Sequence, residues 1–287
     1  MRLIHVGSLF LIGLALAATH AGRSRAWAQG PGSFPRAVTD GAGRWVIVPA
    51  LPAAIALVGD APELRAIVEP RALRQADPLD DPAALDWSGV GLLVLSDLHA
   101  AINPAWTEAA AERGVPVFLL SAISSLDDWR AAVDGLGRAT GRDEQTTAAL
   151  RRLETRLTRL AESLAAQPRR RALVLSPEGY TFGQGTLITD LLNAIGARNV
   201  AADAGFADYR QVDDDAIRQL APDVILLSPA WTVEQTVALR ANAALSDVPA
   251  IRRNQVFRLP FSPTLPNDPA AAAIVLALAL HPTALLH

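Results

Sequence analysis

Between Arg142 and Gln167 the chain reads RDEQTTAALRRLETRLTRLAESLAAQ, with Leu150, Leu153, Leu157, Leu160 and Leu164 recurring at alternating steps of three and four. That spacing lays one apolar stripe along a helix. Asp143 and Glu144 stand at its N-terminal end, where the helix dipole favours anions. No Gly or Pro interrupts it, and Pro168 followed by Arg169, Arg170 and Arg171 closes it. At 1.5 Å per residue such a helix is roughly 37 Å long, the width of a small domain. On either side of it apolar strands alternate with amphipathic helices. The pattern predicts an α/β fold of two Rossmann-like lobes joined by one long helix, with parallel sheets whose ligands sit beyond the C-terminal ends of the strands.

The lobes are not the whole chain. Residues 1–28 carry a cationic Arg2, an apolar run from Val6 to Ala18 and small residues at Ala26 and Ala28, the layout of a cleaved secretory signal. The apolar run is short for a membrane span. With no Cys anywhere, a thioether-linked lipid, a disulfide and thiolate chemistry are all excluded. The expectation is a freely soluble monomer of the periplasm, with lobes over 29–141 and 168–287 and a connecting helix over 142–167. Loss of Arg2, Arg23 and Arg25 with the signal takes the net charge from −3 to about −6. An acidic chain of this kind is a poor partner for nucleic acid.

The basic residues restrict the chemistry further. All 26 are Arg, so Schiff-base catalysis, pyridoxal phosphate attachment and a phosphate-loop Lys are excluded. Only His99, His281 and His287 follow the signal, too few for a metal site built from several His. Gly183-Gln184-Gly185 lacks the third glycine of a dinucleotide loop, and no Gly-x-Ser-x-Gly elbow occurs. No resident cofactor or metal is expected.

Strands are predicted at Trp45–Val48, Leu64–Val68, Gly91–Leu95, Val115–Leu120, Ala172–Ser176, Val224–Leu227 and Val256–Leu259. Helices are predicted at Ala53–Val58, Asn103–Arg113, Ser125–Ala139, Thr186–Ile195, Asp213–Leu220, Val233–Ala241 and Asp268–Leu280. Residues 29–43 read as extended, 69–87 as a polar segment and 177–185 as a loop.

Several stretches, LGRATGRDEQTTAALRRLETRL from Leu136, GYTFGQGTLITDLLNAIGARNVAAD from Gly179, YRQVDDDAIRQLAPDVILLSP from Tyr209, VFRLPFSP and AIVLALALHP, are similar to a known class. It is the class of periplasmic substrate-binding proteins of ABC importers for iron-siderophore, haem and vitamin B12. The resemblance is weaker over Val46–Gly59, where Pro49, Ala50 and Ala53 replace the usual polar residues. It implies a binding protein rather than an enzyme, with a metal chelate or corrinoid held between the lobes and an inner-membrane permease dimer as partner.

The resemblance also implies site residues. Tyr180 and Tyr209, the chain's only two tyrosines, correspond to aromatics lining the cleft, and Trp231 and Phe261 follow strands at the same edge. His99, beside Asp97, lies where haem-binding relatives place a ligand. Arg210 offers a bidentate fork for a carboxylate or hydroxamate. Asp215 aligns with an acid that meets permease Arg residues. The first-lobe counterpart is a Glu, and here Ala84 replaces it, with Asp81 and Asp86 nearby. A secreted α/β hydrolase using Asp97 or Glu178 with a metal is the alternative, and it lacks the clustered carboxylates such chemistry needs.

Overall fold

The computed structural model describes residues 33–59, 72–263 and 268–282. The signal and the strand expected at Leu64–Val68 therefore lie outside the described residues. The chain opens with a hairpin, β1 (Arg36–Thr39) paired antiparallel with β2 (Trp45–Val48). Its tip packs on the first lobe's sheet, where the buried Asp40 carboxylate accepts from the Leu119 N–H at 3.2 Å and from Arg44 at 2.7 Å. The open edge of that sheet is thus capped by a side chain.

The first-lobe sheet has β3 (Ala54–Val58), β4 (Ala72–Ala76), β5 (Val90–Ser96) and β6 (Val117–Leu120) in the order β4-β3-β5-β6, all parallel. Two expectations are corrected here. Ala53–Val58 is not a helix: five consecutive residues are buried on both faces between Pro52 and Gly59, which a central parallel strand requires. The polar segment 69–87 contains β4, in which Gln75 is exposed. After β5 come α1 (Asp97–Ile102) and α2 (Ala105–Glu112), and after β6 comes α3 (Leu126–Ala139), opened by a Ser125–Asp128 capping box.

The long helix α4 runs over Asp143–Leu164, a little shorter than expected, with Leu153, Leu157, Leu160 and Leu164 buried. The second lobe follows with β7 (Arg171–Leu175), β8 (Tyr180–Phe182), α5 (Leu187–Ala194), β9 (Arg198–Asn199), α6 (Val200–Asp203), β10 (Tyr209–Gln211) and α7 (Asp214–Leu220). It ends with β11 (Val224–Leu227), α8 (Val233–Arg240), α9 (Pro249–Arg252), β12 (Val256–Arg258) and α10 (Pro269–Leu280). Strands β7, β11 and β12 are parallel, whereas β8 runs antiparallel to both its neighbours, β7 and β10, in the order β10-β8-β7-β11-β12 with β9 parallel beside β7. The stretch 177–185 is therefore a turn and a strand rather than a loop.

One apolar cluster joins the two halves. It runs from Ile55 and Leu92 in the first sheet through Trp129, Leu136 and Leu157 to Val174 and Leu226 in the second. A carboxylate crosses the same boundary: Asp190 on α5 accepts the Leu126 N–H at the start of α3, at 2.9 Å. No helix among the described residues is long and apolar enough to cross a membrane.

Candidate functional site

In an open α/β sheet the C-terminal strand ends are where loops leave the sheet and ligands settle. At that edge of the second lobe, β7 turns sharply into β8. Gly179 takes φ +81°, a conformation that favours glycine, and Ser176 N–H donates to the Tyr180 carbonyl at 2.8 Å. Gln211 faces Tyr180 across the β8–β10 ladder, and Tyr209 faces Phe182. Directly opposed residues share a face, so Tyr180, Phe182, Tyr209 and Gln211 form one ledge.

Phe182 is buried in the core that contains the long helix, and the Tyr209 ring meets it edge-on with centroids 5.3 Å apart. The two tyrosines stay 43% and 49% exposed, so the ledge offers aromatic surface to a ligand. Burial, and then the charge of Asp208, push the Tyr209 phenol up from its ordinary value. It remains a neutral hydroxyl across the physiological range.

Arg210 is not brought to this ledge. Alternation turns it to the reverse face, where its guanidinium stacks 4.4 Å from the Phe206 ring centroid. Trp231 lies at the strand edge, donating its indole N–H to the Leu175 carbonyl at 3.1 Å, and packs on the same reverse-face cluster as Phe206. Phe261 packs partly buried against the core on the ledge side. The hydroxyls of Thr181 and Ser228, at this end of the sheet, are buried with no hydrogen-bond partner among the described residues.

A buried polar network that the sequence did not announce fixes the ledge. Asn199 donates to the Phe182 carbonyl and to Thr189 Oγ1, both at 2.6 Å, while Thr186 and Thr189 both donate to the Gly183 carbonyl. An Asn whose acceptor is a strand carbonyl seventeen residues back has no local motif, so sequence spacing carries no signal for it.

The first lobe presents His99 at the equivalent edge, in the first turn of α1, with its N–H accepted by Ser96 Oγ at 3.1 Å. The ring lies so close to Gly59, itself at φ +92°, that a Cβ there would stand 2.6 Å from His99 Cε1. His99 Nδ1 is buried with no partner among the described residues. A 420 Å³ cavity opens beside it, lined by Gln75, Asp77, Pro78 and Asp80 as well as Gly59 and His99. A second cavity of 350 Å³ lies elsewhere, between the β1–β2 hairpin and α3. Among the described residues no group of three or more His, Cys, Asp or Glu is placed to hold a metal.

The three acids before and within α7 have different settings. Asp213 caps the helix by accepting the Ala216 N–H, and Asp214 accepts from Asn242 Nδ2 at 2.9 Å. Asp215 is exposed and pairs with Arg218 one turn on. Ala84 ends a short turn that Asp81 opens, and Asp86 pairs with Arg74 at 3.1 Å.

Residues 93–263, more than half of the chain, match the family described as periplasmic binding protein. The chain is 26% identical over 163 residues to a cobalamin-binding protein of Halobacterium salinarum, a match covering 50% of this chain and 42% of that one. It is 22% identical over 152 residues to YvrC of Bacillus subtilis, described as an uncharacterised ABC transporter substrate-binding lipoprotein, covering 51% of this chain and 47% of that one. The chain thus matches less than half the length of each of these curated relatives. In structure it resembles a possible iron-binding periplasmic solute-binding protein of Staphylococcus epidermidis, with TM-score 0.67, 12% identity and coverage of 80% and 98%.

Proposed function

The chain belongs to the periplasmic binding protein family, and from that premise we propose that it is the substrate-binding component of an ABC importer for an iron-chelate, haem or cobalamin-type ligand. It captures the ligand between its lobes and hands it to an inner-membrane permease. The family is one of transport binding proteins, so the hydrolase alternative falls away. The observation that carries the ligand reading is the aromatic ledge: two half-exposed tyrosines on paired strands at the strand-end edge suit a broad, partly planar ligand. The H. salinarum relative's name adds cobalamin support.

In this reading the lobes span 29–141 and 168–287, the signal is cleaved near Ala28 and the mature protein is a soluble monomer of the periplasm, whereas the YvrC relative is described as a lipoprotein. Tyr180, Tyr209 and Phe261 contact the ligand from the second lobe and His99 from the first, while Trp231, packed on the reverse-face cluster, reaches it only at the strand edge. Arg210 contributes only by leaving its stack on Phe206. Asp215 is the permease contact.

An absorption spectrum of protein purified from its native periplasm tests the assignment. A Soret band, corrinoid bands or a ferric charge-transfer band is expected. A protein that arrives colourless and binds none of haemin, cyanocobalamin and a ferric siderophore on titration contradicts it.

A further inference from the structure

We propose that Asn199 and Thr189, both buried, are positioning residues for Tyr209: they hold its ring in the ligand-ready place on the ledge before any ligand arrives. The inference rests on the ledge being the ligand site. What calls for such residues is how little of the sheet's ladder holds the ledge. In the order β10-β8-β7, β10 is the outermost strand. Among the described residues β8 is tied to β7 by one pair, Thr181 opposite Leu175, and by the Ser176 N–H to the Tyr180 carbonyl. Strands β8 and β10 are three residues each, and a ribbon so short and so briefly tied would swing on its turn.

Past that pair β8 leaves β7, and side chains take over from the ladder. Asn199 ends β9, whose backbone is paired with the start of β7 opposite Ala172, so its side chain starts from a fixed point of the sheet. Its Nδ2 donates to the Phe182 carbonyl and to Thr189 Oγ1, both at 2.6 Å, while its Oδ1 accepts the Ala201 N–H at 3.1 Å. Both donors and the acceptor of the amide are thereby engaged, and the donors face a carbonyl that only an N–H can satisfy.

Thr189 carries the restraint one residue further. Its hydroxyl donates to the Gly183 carbonyl at 2.6 Å, beside that of Thr186 at 2.7 Å. Gly183 and Gln184 in turn donate their N–H groups to the Asp208 and Phe206 carbonyls, both at 2.7 Å, which sets the chain leading into Tyr209. Gly183 lies so close to the Phe206 carbonyl that no side chain fits between them. The restraint thus reaches Tyr209 by two routes, through the backbone before it and through Phe182, against whose ring it packs edge-on. A fully satisfied buried network makes rigid what it holds, and a ring already in place loses less freedom on binding.

The test separates positioning from stability. The purified mature protein and its variants are titrated with haemin, cyanocobalamin and a ferric siderophore, well below their melting temperatures. Thr189→Val keeps the shape and removes the hydroxyl, and it should weaken binding roughly three- to tenfold, the scale of one lost buried hydrogen bond. Thr189→Ser keeps the hydroxyl and should bind within about twofold of wild type. Asn199→Asp turns an oxygen on the Phe182 carbonyl and should weaken binding at least as much as Thr189→Val. Val256→Ala, in the core at the far strand β12, should lower the melting temperature and leave affinity unchanged. In a Tyr209→Ala background Thr189→Val should cost clearly less than in the wild type, because a residue that acts through the tyrosine has nothing left to place. Wild-type affinity in Thr189→Val, equal losses in the two backgrounds, or a Val256→Ala that weakens binding as much, overturns the positioning role while the ledge stands. A Tyr209→Ala variant that binds as tightly as wild type, or a wild type that binds none of the three probes, removes instead the reading on which the inference rests.

Discussion

Tyr180 and Tyr209 share the ledge, but they contribute differently to the fold. Tyr209 packs edge-on against the buried Phe182, whereas Tyr180 sits at the turn opposite Gln211. Either change to Ala should weaken ligand binding by about 1–3 kcal/mol, the scale of a lost aromatic anchor. Tyr209→Ala should also lower the melting temperature by the loss of about 1 kcal/mol of ring packing, and Tyr180→Ala should not. Paired titration and thermal melts separate the two effects, and unchanged dissociation constants for both variants would remove the ledge from the site. The tyrosines stood out in the sequence by their rarity and by the resemblance, which placed them on loops, whereas they lie on the paired strands β8 and β10. The turning away of Arg210 was not legible there, because it depends on the period-two alternation of β10, a three-residue strand too short to show a pattern in sequence.

A second residue-scale consequence concerns pH. His281, at the C-terminal end of α10, is buried, and burial followed by the charge of Arg170 pulls its pKa down from its ordinary value. The folded state therefore prefers the neutral ring, and the unfolded chain binds the proton more readily. The stabilisation is complete above the unfolded pKa of about 6.5 and is lost as pH falls toward the depressed folded value. Melts from pH 7.5 down to 5 should show falling stability, and His281→Asn should flatten part of that slope. An unaltered slope in the variant would place the acid sensitivity elsewhere.

At the scale of elements, the junction of α3 and α4 depends on closeness. Gly137 on α3 lies against Thr146 on α4 so tightly that an added Cβ would stand 2.7 Å from Thr146 Cβ and closer still to its branches. In an exposed helix Gly→Ala gains about 1 kcal/mol of helix propensity. Here the sign should reverse, because the two helices must separate and the shared core with them. Gly137→Ala should lower the melting temperature, and Thr146→Ala in the same protein should recover part of the loss. A stabilised Gly137→Ala would show that the helices yield freely. The long helix itself was readable from its leucine stripe, since four of the five leucines proved buried and Leu150 lies partly buried against the same core. The strand Ala54–Val58 was not, because five apolar residues with both faces covered have no period to distinguish strand from helix, and the alanines favour the wrong one.

At the scale of the molecule, the lobes share one apolar cluster and an Asp190–Leu126 hydrogen bond, which leaves little room for wide hinge motion; on the proposed transport reading, recognition by a permease would rest on what the lobes display at their rims. The three acids around α7 look alike in sequence, yet the structure separates them. Asp213 is committed to the helix cap and Asp214 to Asn242, whereas Asp215 points outward with only Arg218 beside it. Asp215→Arg should therefore leave the fold and the affinity for ligand intact while opposing a cationic permease surface. Since exposed charges act chiefly on the rate of encounter, the import defect should be greatest at low ionic strength and fade with salt. The measurement is uptake into vesicles carrying the cognate transporter, set beside ligand titration of the same variant. Asp214→Ala provides the contrast, losing a bond to Asn242 without reversing the outward charge. Normal uptake with Asp215→Arg would reduce that acid to a helix-end residue, and the docking surface would then have to lie on the first lobe, where Ala84 leaves only Asp81 and Asp86 to supply it.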